Sequence, residues 1–463
     1  MKARTGRGPP GRALATRAHA ADRPRALSSL RPTLLALAIA SLAGLATAQT
    51  PHAQEPETGR ENRAQEPGRR PPGVPREQIA GGRWPILDWQ QATGDWGGFR
   101  AWLNERGVDP EVFLTSDASW VASGGADRGG TALRALFDAT VTIDGGKLLG
   151  VEGARLFADF QVQGGSDGTV DVGDLQGYSN IDGPHRVQLA KVWYEQVLLD
   201  RALRFKIGKV DANTDFAYVE HGFRFLNSSF GFSPTVLGFP TYPDPAFGAL
   251  AFVRPGGGVY LGAGVFDGAT QAGVATGPRG PRTLFDDPAG LFAIGEAGLR
   301  WRGGERALRG RVGAGVWRHT GRFGRFDGGT DGDADGFYLV ADQKLWRPEP
   351  EGERGLGCSF QYGWADPMVS PIEHHVGVGL EWAGPSERRP DDACGVGVTW
   401  GAFSDEPAAG LRGAGELTVE LFYSLPLTPW LRLKPDVQYI HAPGGTAGLD
   451  DALVFTLRSS ITL

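Results

Sequence analysis

Three short runs of alternating residues carry side chains suited to gripping polyhydroxylated molecules. Arg155, Asp159 and Gln161 share one face of a strand-like segment, Lys191, Trp193 and Glu195 one face of a second, and Arg204 and Lys206 one face of a third. Guanidinium and carboxylate groups hydrogen-bond neighbouring hydroxyls in pairs, and an aromatic ring covers the apolar C–H face of a pyranose. The same charges also suit a water-filled wall that sorts solutes and ions by charge. The residues alone leave both uses open.

Other constellations carry less. Asp331, Asp333, Asp335 and Gly336, with Asp342 at the twelfth position, have the spacing of a calcium loop, yet its last ligand is normally Glu and Phe337 to Trp346 reads as a strand. A solvated acidic loop is expected there, with no metal. His221, near Ser228 and Asp215, is the one site to nominate for a hydrolase, and it lacks a convincing nucleophile–base spacing. His374 and His375 are adjacent, so on a strand they face opposite sides and cannot share a metal. Gly313-Ala314-Gly315 and Gly377-Val378-Gly379 do not complete a nucleotide fingerprint; within strands such glycines mark close packing or a bend. No cofactor is expected.

The elements that must position the charged faces are strands. From Glu111 onward, segments of nine to thirteen residues alternate in polarity between turns, most clearly at the end, where Leu453, Phe455, Leu457, Ile461 and Leu463 alternate with Thr456, Arg458, Ser460 and Thr462. One apolar face and one polar face is what a strand between lipid and water requires. Sixteen segments are predicted: 111–123, 130–143, 153–163, 187–199, 202–210, 246–254, 257–267, 290–301, 307–319, 336–346, 355–364, 374–383, 394–403, 413–425, 429–440 and 451–463. With the C-terminus placed in the periplasm, the short connections fall on that side and the long ones, 164–186, 211–245, 268–289 and 320–335, fall outside. The expected fold is an all-β transmembrane antiparallel barrel of about 16 strands in the bacterial outer membrane.

Composition agrees. Only 41% of the 463 residues are hydrophobic, while 71 are glycine, about 15%, roughly twice ordinary usage. A polytopic helical membrane protein is excluded, because each span would need about 20 apolar residues. Residues 1–48 hold eight basic residues and one acid, then the apolar run Leu34 to Leu45 and Ala46-Thr47-Ala48, the pattern of a cleaved export signal. Without them the formal charge falls from −6 to −13, which argues against a nucleic-acid partner. Residues 49–92, rich in Pro, Arg and Glu, are expected to be a disordered periplasmic linker ahead of a barrel over 93–463. Cys358 and Cys394 lie on strands separated by another, about 9.5 Å, too far for a bridge, so both are expected free on the lipid face or rim.

A barrel this wide leaves an aqueous lumen. Its longest loop, Asp211 to Pro245, carries Phe216, Tyr218, Phe223, Phe225, Phe230, Phe232, Phe239 and Tyr242. Folding it inward would bury those rings, so an inward constriction loop is expected.

Several motifs then resemble one family. Thr93-Gly94-Asp95-Trp96-Gly97-Gly98-Phe99-Arg100 with Leu103 and Gly107, Lys191-Val192-Trp193-Tyr194-Glu195-Gln196, Ile207-Gly208-Lys209, and Phe225-Leu226-Asn227-Ser228-Ser229-Phe230-Gly231 are similar to those of carbohydrate-selective porins of the OprB type. So are Val265-Phe266-Asp267-Gly268, Gly384-Pro385 with Arg389-Pro390-Asp391-Asp392, and Pro435 to Ile440 with Pro443-Gly444-Gly445. The resemblance covers 93–463. It implies a sixteen-stranded outer-membrane porin with a short N-terminal helical segment, passing monosaccharides such as glucose by diffusion. It also implies that basic and aromatic lumen residues form the constriction; Arg155, Trp193, Glu195, Arg204 and Lys206 fit. A general solute or ion porin is the alternative reading, and an outer-membrane enzyme a more distant one. The partners implied are small sugars, outer-membrane lipid and lipopolysaccharide, and the barrel-insertion machinery, with the chain either a monomer or a homotrimer. The last residue is Leu463 where such proteins usually end in Phe, which should weaken recognition by that machinery.

Overall fold

The computed structural model describes residues 85–285, 290–350 and 352–463. Sixteen antiparallel strands follow one another around a closed barrel: β1 Val108–Gly125, β2 Thr131–Asp144, β3 Ala154–Gly165, β4 Arg186–Leu198, β5 Leu203–Val210, β6 Ala246–Gly256, β7 Val259–Asp267 and β8 Leu291–Gly303. The second half is β9 Leu308–His319, β10 Ala334–Trp346, β11 Gly355–Ala365, β12 Ile372–Ala383, β13 Ala393–Phe403, β14 Gly415–Pro426, β15 Leu431–His441 and β16 Asp450–Thr462. Each expected segment is present within about three residues of its predicted ends. A two-residue ladder, Phe323–Gly324 with Thr330–Asp331, stands apart from the barrel wall.

Alternation dictates which face is which. Leu133, Val187, Leu189, Val316, Leu421 and Leu457 stand exposed on the outside, while their sequence neighbours turn into the barrel. Trp120, Trp400 and Tyr439 ring one end of the apolar belt and Trp346, Trp382 and Tyr423 the other, the aromatic girdles of a membrane barrel. Cys358 and Cys394 are free, on the outward face of β11 and β13.

The seam joins β1 to β16, with Asp117 opposite Arg458. Arg458 Nε and Nη2 donate to the two Asp117 carboxylate oxygens at 2.7 and 2.8 Å. A bidentate pair fixes register as well as charge. The chain entering the barrel reinforces this seam. Helix α1, Phe99–Glu105, projects Arg100 inward, where Nη2 donates to the Leu463 carbonyl at 3.1 Å and the guanidinium lies 4.1 Å over the Trp96 ring. Gly97 and Gly98 precede α1 at φ 67° and 91°, a left-handed path that favours glycine. The Thr93–Arg100 motif thus has a mechanical reading: it clamps the first strand to the last.

The expected leader, 1–48, and residues 49–84 of the expected linker lie outside the described residues. Residues 85–92 touch the barrel: Ala92 N–H donates to the Thr462 carbonyl at 2.8 Å, and Trp430 Nε1–H to the Ile86 carbonyl at 2.7 Å.

At one end of the barrel the connections run from two to nine residues; at the other they reach 35. The first is the turn end and the second the loop end.

Candidate functional site

The loop 211–245, between β5 and β6, folds into the barrel as its aromatic content predicts. Phe216, Phe225 and Phe230 are buried, and with Phe239 they join wall rings from β6 to β10 and from β14. Phe216 lies 5.0 Å from Phe252, Phe225 stacks on Phe230 at 4.3 Å, and Phe422 meets Phe225 edge-on at 5.0 Å. Each such ring removed from water stabilises the inward fold by about 1.5–3 kcal/mol.

Glycines in the wall make this approach possible. A Cβ at Gly397 would stand 2.6 Å from the Phe230 ring, and one at Gly379 would stand 2.9 Å from Phe225. The close-packing reading of Gly377-Val378-Gly379 holds here, and Gly313 likewise lies against the Tyr260 hydroxyl.

Wall carboxylates hold the loop's backbone. Glu296 accepts from Ala217 N–H at 2.9 Å, Asp342 from His221 N–H at 3.1 Å, and Glu420 from Leu226 and Asn227 N–H at 2.6 and 2.9 Å. The loop's track can therefore be followed around the lumen from β5 to β14. Asp342 thus serves the loop, while Asp333, nine positions earlier in the chain and just ahead of β10, pairs with Arg318.

A second loop, 166–185 between β3 and β4, lies at the loop end with the other long connections and also turns inward, an inward fold the alternation of strands does not reveal. Leu175 and Gln176 N–H donate to Glu416 at 2.9 and 3.0 Å, Ser179 Oγ donates to Asp117 at 2.7 Å, and Arg134 bonds the Tyr178 hydroxyl. The two loops join: Asn180 N–H donates to the Leu226 carbonyl at 2.7 Å, and Ser228 N–H to the Gly177 carbonyl at 2.8 Å. Sequence reasoning missed this loop because much of its docking uses backbone amides. The available signal was Glu416 and Glu420, two carboxylates on the inward face of one strand.

The five candidate residues come together beneath the start of loop 211–245. Glu195 lies 3.1 Å from Arg204 Nη1, 3.6 Å from Arg155 Nη1 and 3.8 Å from Lys206 Nζ. Asp215, brought by the loop, completes the network at 2.6 Å from Arg204 and 2.8 Å from Lys206. Trp193 stacks on Phe157 at 5.0 Å and receives the Lys206 ammonium 4.6 Å from its ring. Lys206 is 1% exposed, and Trp193, Glu195 and Arg204 are buried as well, whereas the Arg155 side chain is 34% exposed. Burial alone would raise the Asp215 pKa, but the charges and hydrogen bonds of Lys206 and Arg204 hold it down to about 2.

The hydrolytic trio does not assemble. Asp215 is held by β5, His221 faces Glu381 of β12 at 3.5 Å, and Ser228 is tied to Gly177. Beside Asp215 at the turn end, Arg204, Arg254, Arg300, Tyr218, Phe252 and Tyr260 line a small, open cleft.

Comparison with known proteins agrees with this architecture. Residues 131–463 match the model of the carbohydrate-selective porin, OprB family. The chain is 23% identical over 409 residues to Porin B of Pseudomonas aeruginosa, covering 79% of this chain and 89% of that protein. It is 24% identical over 408 residues to the putative porin QuiX of Acinetobacter baylyi, covering 79% and 92%. The high-pH structure of Pseudomonas putida OprB superposes with a TM-score of 0.72 at 21% identity, covering 81% of this chain and 99% of that one. By its family match over most of its length, this chain belongs to the carbohydrate-selective porins of the OprB family, channel proteins of the bacterial outer membrane.

Proposed function

We propose that this porin passes monosaccharides of the glucose type passively into the periplasm, with loop 211–245 setting the size limit. The observation that carries the reading is the loop itself, pressed into the lumen by aromatic packing and backed by the Glu195–Arg204–Lys206–Asp215 network. A rigid constriction framed by charges and rings favours small, rigid, polyhydroxylated solutes over long or apolar ones. In this reading Arg155 offers its guanidinium to sugar hydroxyls, while Trp193, Glu195, Arg204 and Lys206 hold the shape of the passage. Binding in transit is weak, about 1 mM or −4.1 kcal/mol, because a channel must release what it admits.

Liposome swelling with the purified barrel tests it. Glucose should enter faster than neutral disaccharides, and faster than amino acids of its own size. Rates ordered by size alone would reduce the protein to a general porin.

A further inference from the structure

We propose that the entry segment, residues 86–106, together with helix α2, Gly145–Leu149, is a docking surface for the phospholipid leaflet at the turn end. Its rings seat among the headgroups and upper acyl chains and complete an aromatic girdle that the strands leave open.

The gap is read from the strands. Near the turn end the outward faces of β4, β5, β8, β10, β12 and β14 carry Tyr194, Phe205, Trp301, Trp346, Trp382 and Tyr423. The longest run of strands without such a ring is β15, β16, β1, β2 and β3, where the corresponding positions are aliphatic or small, among them Leu433, Ile461, Val112, Ile143 and Leu156. The entry segment follows this gap. Its Ile86 carbonyl accepts from Trp430 Nε1–H just ahead of β15, Ala92 N–H donates to Thr462 at the end of β16, and the Gly107 carbonyl accepts from Asp144 N–H at the end of β2. A Cβ at Gly107 would stand 2.7 Å from that of Lys147, so α1 and α2 adjoin.

Along that path the segment presents Trp89, Trp96, Phe99 and Trp102, and α2 with its flank adds Leu148, Leu149 and Val151, all exposed. Phe99, Trp102 and Leu149 are 52, 46 and 63% exposed, although Arg100 of the same helix is buried at the seam. A contiguous apolar patch of this kind marks a membrane or protein contact, and its continuity with the lipid belt selects the membrane. Trp rings beside basic side chains are the chemistry of the headgroup layer. Arg106 lies 4.1 Å over the Trp102 ring, and Lys147 is exposed nearby. Glu105 and Glu152 offset these two cations, so the rings rather than net charge hold the surface to lipid. Seated there, α1 keeps Arg100 against the Leu463 carbonyl and the seam closed.

The test uses the full chain in phosphatidylcholine nanodiscs, with Cys358→Ala, Cys394→Ala and a nitroxide on Leu149→Cys. Collisions with oxygen, which concentrates in lipid, are compared with those of nickel(II)-ethylenediaminediacetate, which stays in water. Oxygen should dominate. Dominance of the nickel complex would place the surface in water, and low access by both would mean that protein covers it, another part of this chain or a second molecule. Either result overturns the proposal. Adding Phe99→Gln/Trp102→Gln, which leaves Arg100 and Trp96 in the seam, should abolish the preference for oxygen; an unchanged preference would also overturn it. Should the labelled chain fail to assemble, cross-linking of the unsubstituted protein by a diazirine-bearing phosphatidylcholine decides the question. Adducts on peptides spanning 86–106 and 145–153 are expected, and adducts confined to the strands would sink the idea.

Discussion

Between β3 and β9 three inward carboxylates face cations: Asp159 meets Lys191, Glu195 meets Arg204, and Glu296 meets Arg311 while also accepting the Ala217 amide. On β14, across the lumen, Glu416 and Glu420 face backbone amides of the two inward loops instead. The same residue type on the same face of the same kind of strand does two jobs. On the first wall, charge is neutralised by side chains and the wall becomes a rigid frame. On the second, each carboxylate collects amides of the loop backbone, while the neighbouring Phe225 and Phe230 side chains pack as rings. That division explains how a loop rich in phenylalanine is held at a defined height in a water-filled barrel.

The largest loss is expected on the first wall. Asp215→Asn leaves Lys206 and Arg204 to share Glu195 in a buried setting, and removing one partner of a buried pair costs about 3–5 kcal/mol. The start of the loop should detach from β5, seen as higher single-channel conductance and new protease cleavage near residue 215. Unchanged conductance and cleavage would mean that aromatic packing alone holds this segment. The pH dependence has a defined sign. Because the folded pKa of Asp215 is depressed to about 2, its contribution is fully present above the ordinary value near 3.8 and is lost as pH falls toward 2. Conductance should stay flat with respect to this contact down to about pH 4.

On the second wall the expected loss is smaller. Glu420→Gln keeps one acceptor oxygen but gives up charge assistance to two amides, a cost of about 2 kcal/mol. Brief openings should appear in single-channel records as the Leu226–Asn227 segment lifts. The double variant with Asp215→Asn sharpens the point: energies that add would mean the two anchors act independently, while strong coupling would mean the loop moves as one body. Smaller again is Gly397→Ala, whose added methyl must displace the Phe230 ring at a cost of about 1 kcal/mol. Lower heat stability with little change in ion selectivity is expected; an altered selectivity would show that the ring bed itself borders the pathway.

The sequence showed far more of the first wall than of the second. Period-two alternation is imposed by lipid outside and water inside, so all sixteen strands could be placed, and the aromatic density of 211–245 marked it for burial. The faces of Arg155, Trp193, Glu195, Arg204 and Lys206 followed from the same alternation. Their burial did not, because it depends on Asp215 arriving from a loop whose path is set by contacts far away in the chain. The inward turn of 166–185 was hidden for a related reason. Among its anchors are the amides of Leu175 and Gln176, which every residue type but proline carries, and their acceptor Glu416 lies about 240 residues later. Glycines such as Gly379 and Gly397 showed as excess composition, and only the docked rings of Phe225 and Phe230 give that excess a purpose.

The smallest structural effect is expected at Arg155, which makes this the cleanest test of selectivity. Its side chain is partly open and its contact with Glu195 is 3.6 Å long, so loss of the pair should cost at most about 1 kcal/mol of stability. Glu195 keeps Arg204 as a partner, and the frame behind it survives. Arg155→Ala should therefore leave the heat stability of the barrel and its overall conductance nearly unchanged while narrowing the rate difference between glucose and amino acids of similar size. The buried members of the network cannot be used this way, since altering Arg204 or Lys206 moves the loop and the passage together. If Arg155→Ala discriminates as well as wild type, the first wall is only a scaffold, and sugar preference must reside in the loop or at the turn end.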